Sequence, residues 1–461
     1  MGGSRTCRCV HQTRNMTDGV IATMADLLPR VATGAVSIAD DNMEQLGSAE
    51  PIFPRGIEGQ FRVTALLLEG STRVAFVSCD CLVVTADMAS RASDRIAAAG
   101  WVPRDNMLIC PTHTHQGHPT VDVLGLVSNR EFVRRIELGI VLAVEQAAAK
   151  LADLTVCDDL RAEMLLGLTQ EDTVGRNSRL LLKDGSIGWS GYQREDVVRP
   201  TGPFDASIPL LAFRRPDGNW AGFIYGRACH NIGGLRADVN SPCVYGLVAG
   251  EFEARHGAHT LYCPGALGSS HNVTYAGSGV PTDEAMIRLL DALEWGLEHS
   301  EPDLFGPIRC ARRPFVYRVR AFDEAEEDAK VAHYSRRYLG ASAERNIEVM
   351  RGQRAQLAPF QGRERHSYLH AIVLGQVAIV GVPCELFARL GLEIRRRSAF
   401  RHTLVFGLAN DDFGYVGDRE GLRLGGYQMW VSPHCPGEAG TGEAMVDQAV
   451  EMLAELRAEP C

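Results

Sequence analysis

The sequence has no apolar run approaching the roughly 18 residues that a membrane-spanning helix needs, so nothing in it reads as a bilayer span. It also lacks any surplus of positive charge. With 47 Lys and Arg against 57 Asp and Glu, the formal net charge of -10 attracts neither a phosphate backbone nor an anionic membrane, which argues against nucleic acid as a constitutive partner. The opening stretch, residues 1–15, carries basic residues but no apolar segment and does not read as a secretory signal. Met1-Gly2 with Thr6 fits the loose myristoylation pattern, which is too short to carry weight. Paired cysteines are scarce: 13 cysteines are scattered singly apart from Cys7-Arg8-Cys9 and Cys79-Asp80-Cys81, with no second pair at zinc-finger spacing. An odd count placed in strand-like apolar runs reads as reduced core thiols, hence a cytoplasmic compartment. No internal repeat, low-complexity tract or linker stands out, and a homo-oligomer is left open. The remainder is ordinary globular composition, 45% hydrophobic and 23% charged.

Against that background one stretch is dense in chemistry: Cys110-Pro111-Thr112-His113-Thr114-His115-Gln116-Gly117-His118-Pro119. Three of the chain's 14 histidines fall within six residues, after the apolar run Met107-Leu108-Ile109-Cys110 and before Gly and Pro. This pattern predicts a short buried strand that ends in a turn and projects imidazoles from its edge. In an extended backbone His113 and His115 would point the same way, about 7 Å apart at roughly 3.3 Å per residue. Neutral imidazoles on a rigid edge are partial ligation for a zinc-type cation. A polar loop that happens to be rich in histidine is the plainer alternative.

Along the chain, residues 1–27 read as a disordered leader and residues 28–461 as one large catalytic domain. Strands are expected at 61–68 and 74–79, then a helix capped by Thr85 and ended by Gly100, the strand 107–110, and an amphipathic helix over 130–151. This β-β-α-β-α alternation predicts an α/β fold of mixed β-sheets layered with α-helices, with the metal site at strand ends. Hairpins are expected at Asp184-Gly185 and Asp217-Gly218, the second returning along 221–228 to deliver Cys229-His230. Helices follow at 243–255 and 283–299 around a strand at 259–263, then one or two charged surface helices over 322–354. The last third reads as strand 370–380, helix 385–398, strand 403–407, a Gly-rich loop and a helix over 442–457.

Other polar residues also stand where strands run out. His230 ends a hairpin strand, Glu385 follows the apolar run 377–382, and Tyr415 lies in 410–416 after the strand 403–407. A buried Glu there is costly unless paired or metal-bound, whereas a helix N-cap carboxylate facing solvent is cheap.

With these residues the chain resembles the neutral/alkaline (non-lysosomal) ceramidase family. The resemblance rests on Thr112-His113-Thr114-His115 before Gly, the strand ending in His230, Val382-Pro383-Cys384-Glu385, and Gly407-Leu408-Ala409-Asn410-Asp411-Asp412-Phe413-Gly414-Tyr415-Val416. It spans about 28 to 457 and corresponds to that family's N-terminal catalytic domain, with no counterpart to the C-terminal immunoglobulin-like domain. It implies a zinc-dependent amidase for an N-acyl lipid or small molecule. His113, His230, Glu385 and Tyr415 would be the Zn2+ ligands, and His115 a polar residue near the scissile carbonyl. Arg176, in Val174-Gly175-Arg176-Asn177, and Tyr427 would face the site. The family's serine lies in Gly-Asp-x-Ser-Pro-Asn; here Leu267-Gly268-Ser269-Ser270-His271-Asn272 keeps Ser270 and Asn272 in register but replaces the proline by His271 and loses the acid.

The implied chemistry is coherent. Zinc in such a site would polarise an amide carbonyl and lower the pKa of bound water toward roughly 7. Donors such as Arg176 and Tyr427 are commonly worth about 3 kcal/mol each on a developing oxyanion. Ser270 reads either as an acyl-bearing nucleophile or as a hydrogen-bonding spectator; Tyr427 and Arg176 have plainer roles open to them, packing in a turn and pairing with Glu171 or Asp172. The altered 267–271 segment admits acyl transfer, cyclisation or ester or lactone cleavage on a specialised metabolite instead. A non-catalytic ligand-binding relative ranks last, because all four ligand types are present.

Overall fold

Strand-forming residues cluster three times in the chain, and each cluster makes one four-stranded sheet. In the first, Arg30–Ser37, Arg62–Glu69 and Arg73–Cys79 run antiparallel in that order, and Met107–Pro111 joins parallel to the third. The second holds Glu163–Gln170, Ser207–Arg214, Trp220–Arg227 and Thr260–Pro264 in the same arrangement. The third repeats it with Ile308–Arg318, Glu364–Leu374, Val377–Gly381 and His402–Phe406. Parallel neighbours need a crossover, and here it is a helix each time: Ala86–Ala98, Cys243–His256 and Ala388–Arg397. A further helix follows each fourth strand: Arg130–Ala152, Thr282–Glu298 and Thr441–Ala458. The molecule is thus an α/β fold of mixed sheets and helices in which one β-β-β-α-β-α path occurs three times. The computed structural model describes residues 28–39, 54–122, 125–153, 155, 160–272, 280–302 and 304–458; the expected leader, residues 1–27, lies outside these.

The three sheets share a central core. Leu66, Phe76 and Leu108 of the first pack with Leu211, Ile224 and Leu261 of the second and Ile372, Ile379 and Phe406 of the third. The opposite face of each sheet is covered by its own two helices, giving three separate outer cores. Both faces being buried explains why these strands read as unbroken apolar runs. Each fully buried Leu, Ile or Phe contributes roughly 1.5–3 kcal/mol relative to an exposed one, so the layering is fixed by many such residues rather than by any one. The alternation read from the first third is therefore the plan of the whole chain. The sequence shows no repeat because the three units share an apolar pattern and not residues.

Most expected elements stand within two residues of their places. Thr85 caps its helix, its hydroxyl accepting from the Met88 N–H at 3.3 Å, and the segment 322–354 forms two helices, Glu324–Tyr338 and Ala343–Leu357. Two expectations need correction. The single strand 370–380 is a hairpin, Glu364–Leu374 and Val377–Gly381, turning at Gly375 with φ 64°. The strand halves flanking the turn are buried, and only Gly375-Gln376 interrupts the apolar run. The helix expected from 385 begins at Ala388, and Glu385–Leu386 is a short strand. The nine described cysteines are free thiols, eight of them buried. No described helix is long and apolar enough to cross a membrane.

Candidate metal centre

The carboxyl ends of the parallel strand pairs converge, and each of the three units delivers side chains there. From the first unit the chain leaves Met107–Pro111 and turns at His113, a non-glycine residue with φ 55°. A left-handed conformation of this kind costs roughly 1–2 kcal/mol and persists only where its surroundings impose it. Here they do: the Thr112 N–H donates to the Cys79 carbonyl at 2.7 Å, Asn231 Nδ2 donates to the Thr112 carbonyl at 3.0 Å, and the Thr114 hydroxyl donates to the Ser241 carbonyl at 2.6 Å. This turn corrects the extended geometry expected for the motif. His113 and His115 do not project as strand neighbours but meet edge to face, ring centroids 4.8 Å apart.

Two imidazoles are then fixed in the same tautomer by backbone carbonyls. His113 Nδ1 lies 2.8 Å from the Leu82 carbonyl, and His230 Nδ1 lies 2.9 Å from the Ser270 carbonyl and 3.2 Å from that of Leu267. A carbonyl only accepts, so Nδ1 carries a proton in both rings, and in the neutral ring each Nε2 presents a lone pair. Those lone pairs face further acceptors. Glu385 Oε2 stands 2.9 Å from His230 Nε2 and 3.8 Å from His113 Nε2, and the Tyr415 hydroxyl 3.2 Å from His230 Nε2. Glu385 Oε2 is buried without a well-formed hydrogen bond. With both rings neutral, only Tyr415 among these four brings a proton. Converging lone pairs with an orphaned buried carboxylate oxygen are what a cation satisfies and what a hydrogen-bond network does not. The ring nitrogens of His113, His115 and His230 all lie within 4.8 Å of one another, a group able to hold a metal ion. His115 Nε2 is 3.3 Å from His113 Nε2.

Burial dominates the protonation of the centre. It holds His113 down to about 4, against the opposing pull of Glu385 and with help from His230. His115 and His271 are pushed well below the ordinary imidazole value, by burial first and by neighbouring imidazoles second. Burial would raise Glu385, but its neighbours His230, His113 and Tyr415 together outweigh it and bring the carboxyl below its ordinary value. Burial and the Glu385 charge raise Tyr415 well above an ordinary phenol. At neutral pH His113, His115 and His271 are therefore neutral imidazoles beside one carboxylate, the kind of ligand a zinc-type ion takes.

The second unit supplies the rest. Ser270 and His271 form a two-residue ladder with Asn177 and Arg176, and His271 bridges to His230 with rings perpendicular at 4.3 Å. Ser270 is fully buried and its hydroxyl has no hydrogen bond among the described residues. The Ser269 hydroxyl accepts from the Ala388 N–H at 3.1 Å, starting the helix that follows Glu385. Gly268 lies so close to that segment that a Cβ there would stand 2.1 Å from the Glu385 carbonyl. Arg176 does not pair with Glu171, whose carboxylate instead accepts from Thr173 and Val174 and faces Arg227 at 3.5 Å. Tyr427 stacks on Trp189 at 4.2 Å and 5°, with its ring centroid 6.2 Å from that of Tyr415. His118 packs on Phe132, centroids 5.3 Å apart.

Sequence reasoning passed over His434. Its carbonyl accepts the Tyr415 N–H at 2.6 Å, its Nε2 is buried without a hydrogen bond, and Glu385 opposes the lowering that burial imposes on it. A histidine between two prolines, Pro433 and Pro436, carried no chemical signal of its own. Trp189 was likewise unmarked, just after Ile187–Gly188, a strand too short to show periodicity.

No family model and none of the curated proteins matches the chain. Among solved structures, neutral ceramidase from Pseudomonas aeruginosa superposes with a TM-score of 0.68 at 18% identity, over 94% of this chain and 76% of that one. A ceramidase complexed with C2 gives 0.69 at 19% identity over the same shares. The chain therefore has the fold of the neutral ceramidase structures, the fold that the sequence resemblance implied.

Proposed function

We propose that this chain is a zinc-dependent hydrolase that cleaves the amide bond of an N-acyl small molecule or lipid. The observation that carries the reading is the confrontation of His113 Nε2, His230 Nε2, Glu385 Oε2 and the Tyr415 hydroxyl, four acceptor atoms that, with both rings neutral, have one proton among them. These four residues would hold the ion. When bound, zinc supplies Lewis acidity toward an acyl carbonyl. His115 stays neutral at pH 7 and is able to accept a proton beside that position. Arg176 and Tyr427 would donate hydrogen bonds to oxyanion charge, and Ser270, buried and unbonded, would be nucleophile or positioning donor. Residues 28–461 would act as one catalytic unit, since the ligands come from all three sheet units. The free buried thiols support a reducing, cytoplasmic setting.

His271 favours a variation on this chemistry. It stands where the ceramidase pattern has proline and lies against His230, which supports an altered leaving group, as in ester or lactone cleavage or acyl transfer. A panel of matched N-acyl and O-acyl substrates assayed with wild type, Ser270→Ala and His271→Pro tests both readings. Amide hydrolysis that falls by orders of magnitude in Ser270→Ala with zinc retained supports the first. A shift of the amide-to-ester ratio in His271→Pro supports the second. Unchanged turnover on every substrate in both variants contradicts the assignment of this loop.

A further inference from the structure

On the far side of the loop that carries Tyr415, a cavity of about 260 Å³ opens between the helix Ala86–Ala98 and the antiparallel pair Ile308–Arg318 and Glu364–Leu374. Arg104, Arg312, His370, Ser90, Ser93 and Asp411 are among its walls. Arg312 and His370 are directly opposed in the antiparallel register, so they share one face and meet there.

Two of these groups have polar atoms that the protein leaves unanswered. The Arg312 guanidinium lies over the Tyr368 ring at 3.4 Å and makes no hydrogen bond among the described residues; it stands 3.5 Å from the exposed Asp105 carboxylate. His370 is 4% exposed, and its Nδ1 has no well-formed hydrogen bond. Neither fact follows from the metal centre. A planar guanidinium held flat by an aromatic ring, with only an exposed carboxylate near its fork, matches a carboxylate or phosphate edge. Arg104 adds a second cation and places Ser90 beside it, its Nη2 donating to the Ser90 hydroxyl at 2.6 Å.

Of the nearby carboxylates only the exposed Asp105, 3.5 Å from Arg312 Nη1, approaches the fork. Asp411 accepts from the Ala86 N–H at 3.0 Å, the Ser367 hydroxyl at 2.6 Å and the Asp412 N–H at 2.8 Å. Asp94 is taken by Arg104, and Asp87 lies exposed at the rim. The volume is below the roughly 300–1,000 Å³ of sites for drug-sized ligands, which restricts the occupant to a compact molecule.

We propose that this cavity binds a compact oxyanion, the phosphate or carboxylate group of a small molecule, clamped by Arg312 with Arg104 and His370. Burial first, then the charges of Arg312 and Arg104, hold His370 down to about 3 against a backbone hydrogen bond at Tyr368, so it meets the anion as a neutral imidazole. Because Asn410 and Asp411 also line the cavity, its occupant touches the segment that leads into Tyr415.

The test is calorimetric titration of the full-length protein with sodium phosphate and with sodium acetate, against sodium chloride at matched ionic strength. Saturable binding of phosphate or acetate, and not chloride, is expected, and which of the two binds assigns the group. Arg312→Leu should weaken binding at least about tenfold, the loss of one charge-assisted hydrogen bond. Tyr368→Ala, which removes the platform, should weaken it too, and Arg336→Leu on a distant exposed helix should not. Binding that survives unchanged in both Arg312→Leu and Tyr368→Ala, as an anion seated at the metal centre would, overturns the proposal. So does the absence of saturable binding by either anion.

Discussion

Glu385 and Tyr415 are register partners in a two-stranded parallel ladder. The Glu385 N–H donates to the Gly414 carbonyl at 3.0 Å and the Phe387 N–H to that of Val416 at 3.0 Å. One residue follows the strand Val377–Gly381 and the other follows His402–Phe406, so two candidate ligands from separate strand ends are tied at the backbone. Gly414 is held with φ 95° against the His434 carbonyl, 2.2 Å from where a Cβ would stand. Neither side chain can shift without its partner.

The same loop is anchored to the first unit by Asn410. Its backbone is left-handed, φ 61°, and its side chain accepts from the Ile109 N–H and donates to the Met107 carbonyl, both at 2.9 Å. The amide thereby extends the strand that leads to His113. Asn410→Ala forfeits both bonds and places a residue poorly suited to this conformation, so a loss of about 2–4 kcal/mol is expected from the lost bonds and the backbone cost. Urea denaturation checks it. A change below about 0.5 kcal/mol, the ordinary surface range, would show that Asn410 is not the anchor.

Two glycines give opposite expectations for one substitution. Gly268→Ala drives a methyl into the Glu385 carbonyl and should cost at least the 1–3 kcal/mol of an overpacked core, with metal content falling as Glu385 is displaced. Gly250→Ala, inside the helix Cys243–His256 with nothing within 4 Å, should stabilise by roughly 0.5–1 kcal/mol through helix propensity. Melting temperatures of the two variants that move in the same direction would contradict the close approach at Gly268.

His370 makes stability depend on pH with a definite sign. Its folded value is about 3, and an unfolded histidine titrates near 6.5. Between the two the unfolded chain binds the proton and the folded chain does not, so this residue's contribution falls as pH falls from 6.5 toward 3. The slope is at most about 1.4 kcal/mol per pH unit. Buried acids with raised values, such as Asp80 at about 6, act in the opposite sense, so the whole-protein curve mixes both. The difference between wild type and His370→Asn isolates the histidine. Parallel stability curves for the two proteins from pH 6.5 to 4 would show that His370 is not held neutral.

How much of this was legible in the sequence follows from what each residue signals. The strand before His113 and the hairpin before His230 were visible because a short apolar run bounded by turn residues has few other readings. Glu385 was placed at a helix start because the run 377–382 followed by Pro383 resembles one. Only a partner thirty residues away, Tyr415, reveals that the chain stays extended there. The turn at Gly375 and the left-handed His113 were hidden for related reasons: a two-residue interruption, Gly375-Gln376, is short against the apolar runs on both sides, and an extended backbone is the default for a motif read residue by residue. The threefold plan was invisible because each unit fills the shared core with different apolar residues.

The measurement that bears most directly on the proposed centre is zinc bound per chain after chelation, reloading and exhaustive dialysis, in wild type, His230→Ala and Glu385→Gln, with amide hydrolysis read on the same samples. The account predicts one zinc per wild-type chain and activity that returns with the metal. In both variants zinc should be lost along with activity, with affinity down by more than the 10–100-fold typical of removing a supporting group. Stoichiometric zinc in Glu385→Gln and His230→Ala, or full activity in the metal-free protein, would contradict it.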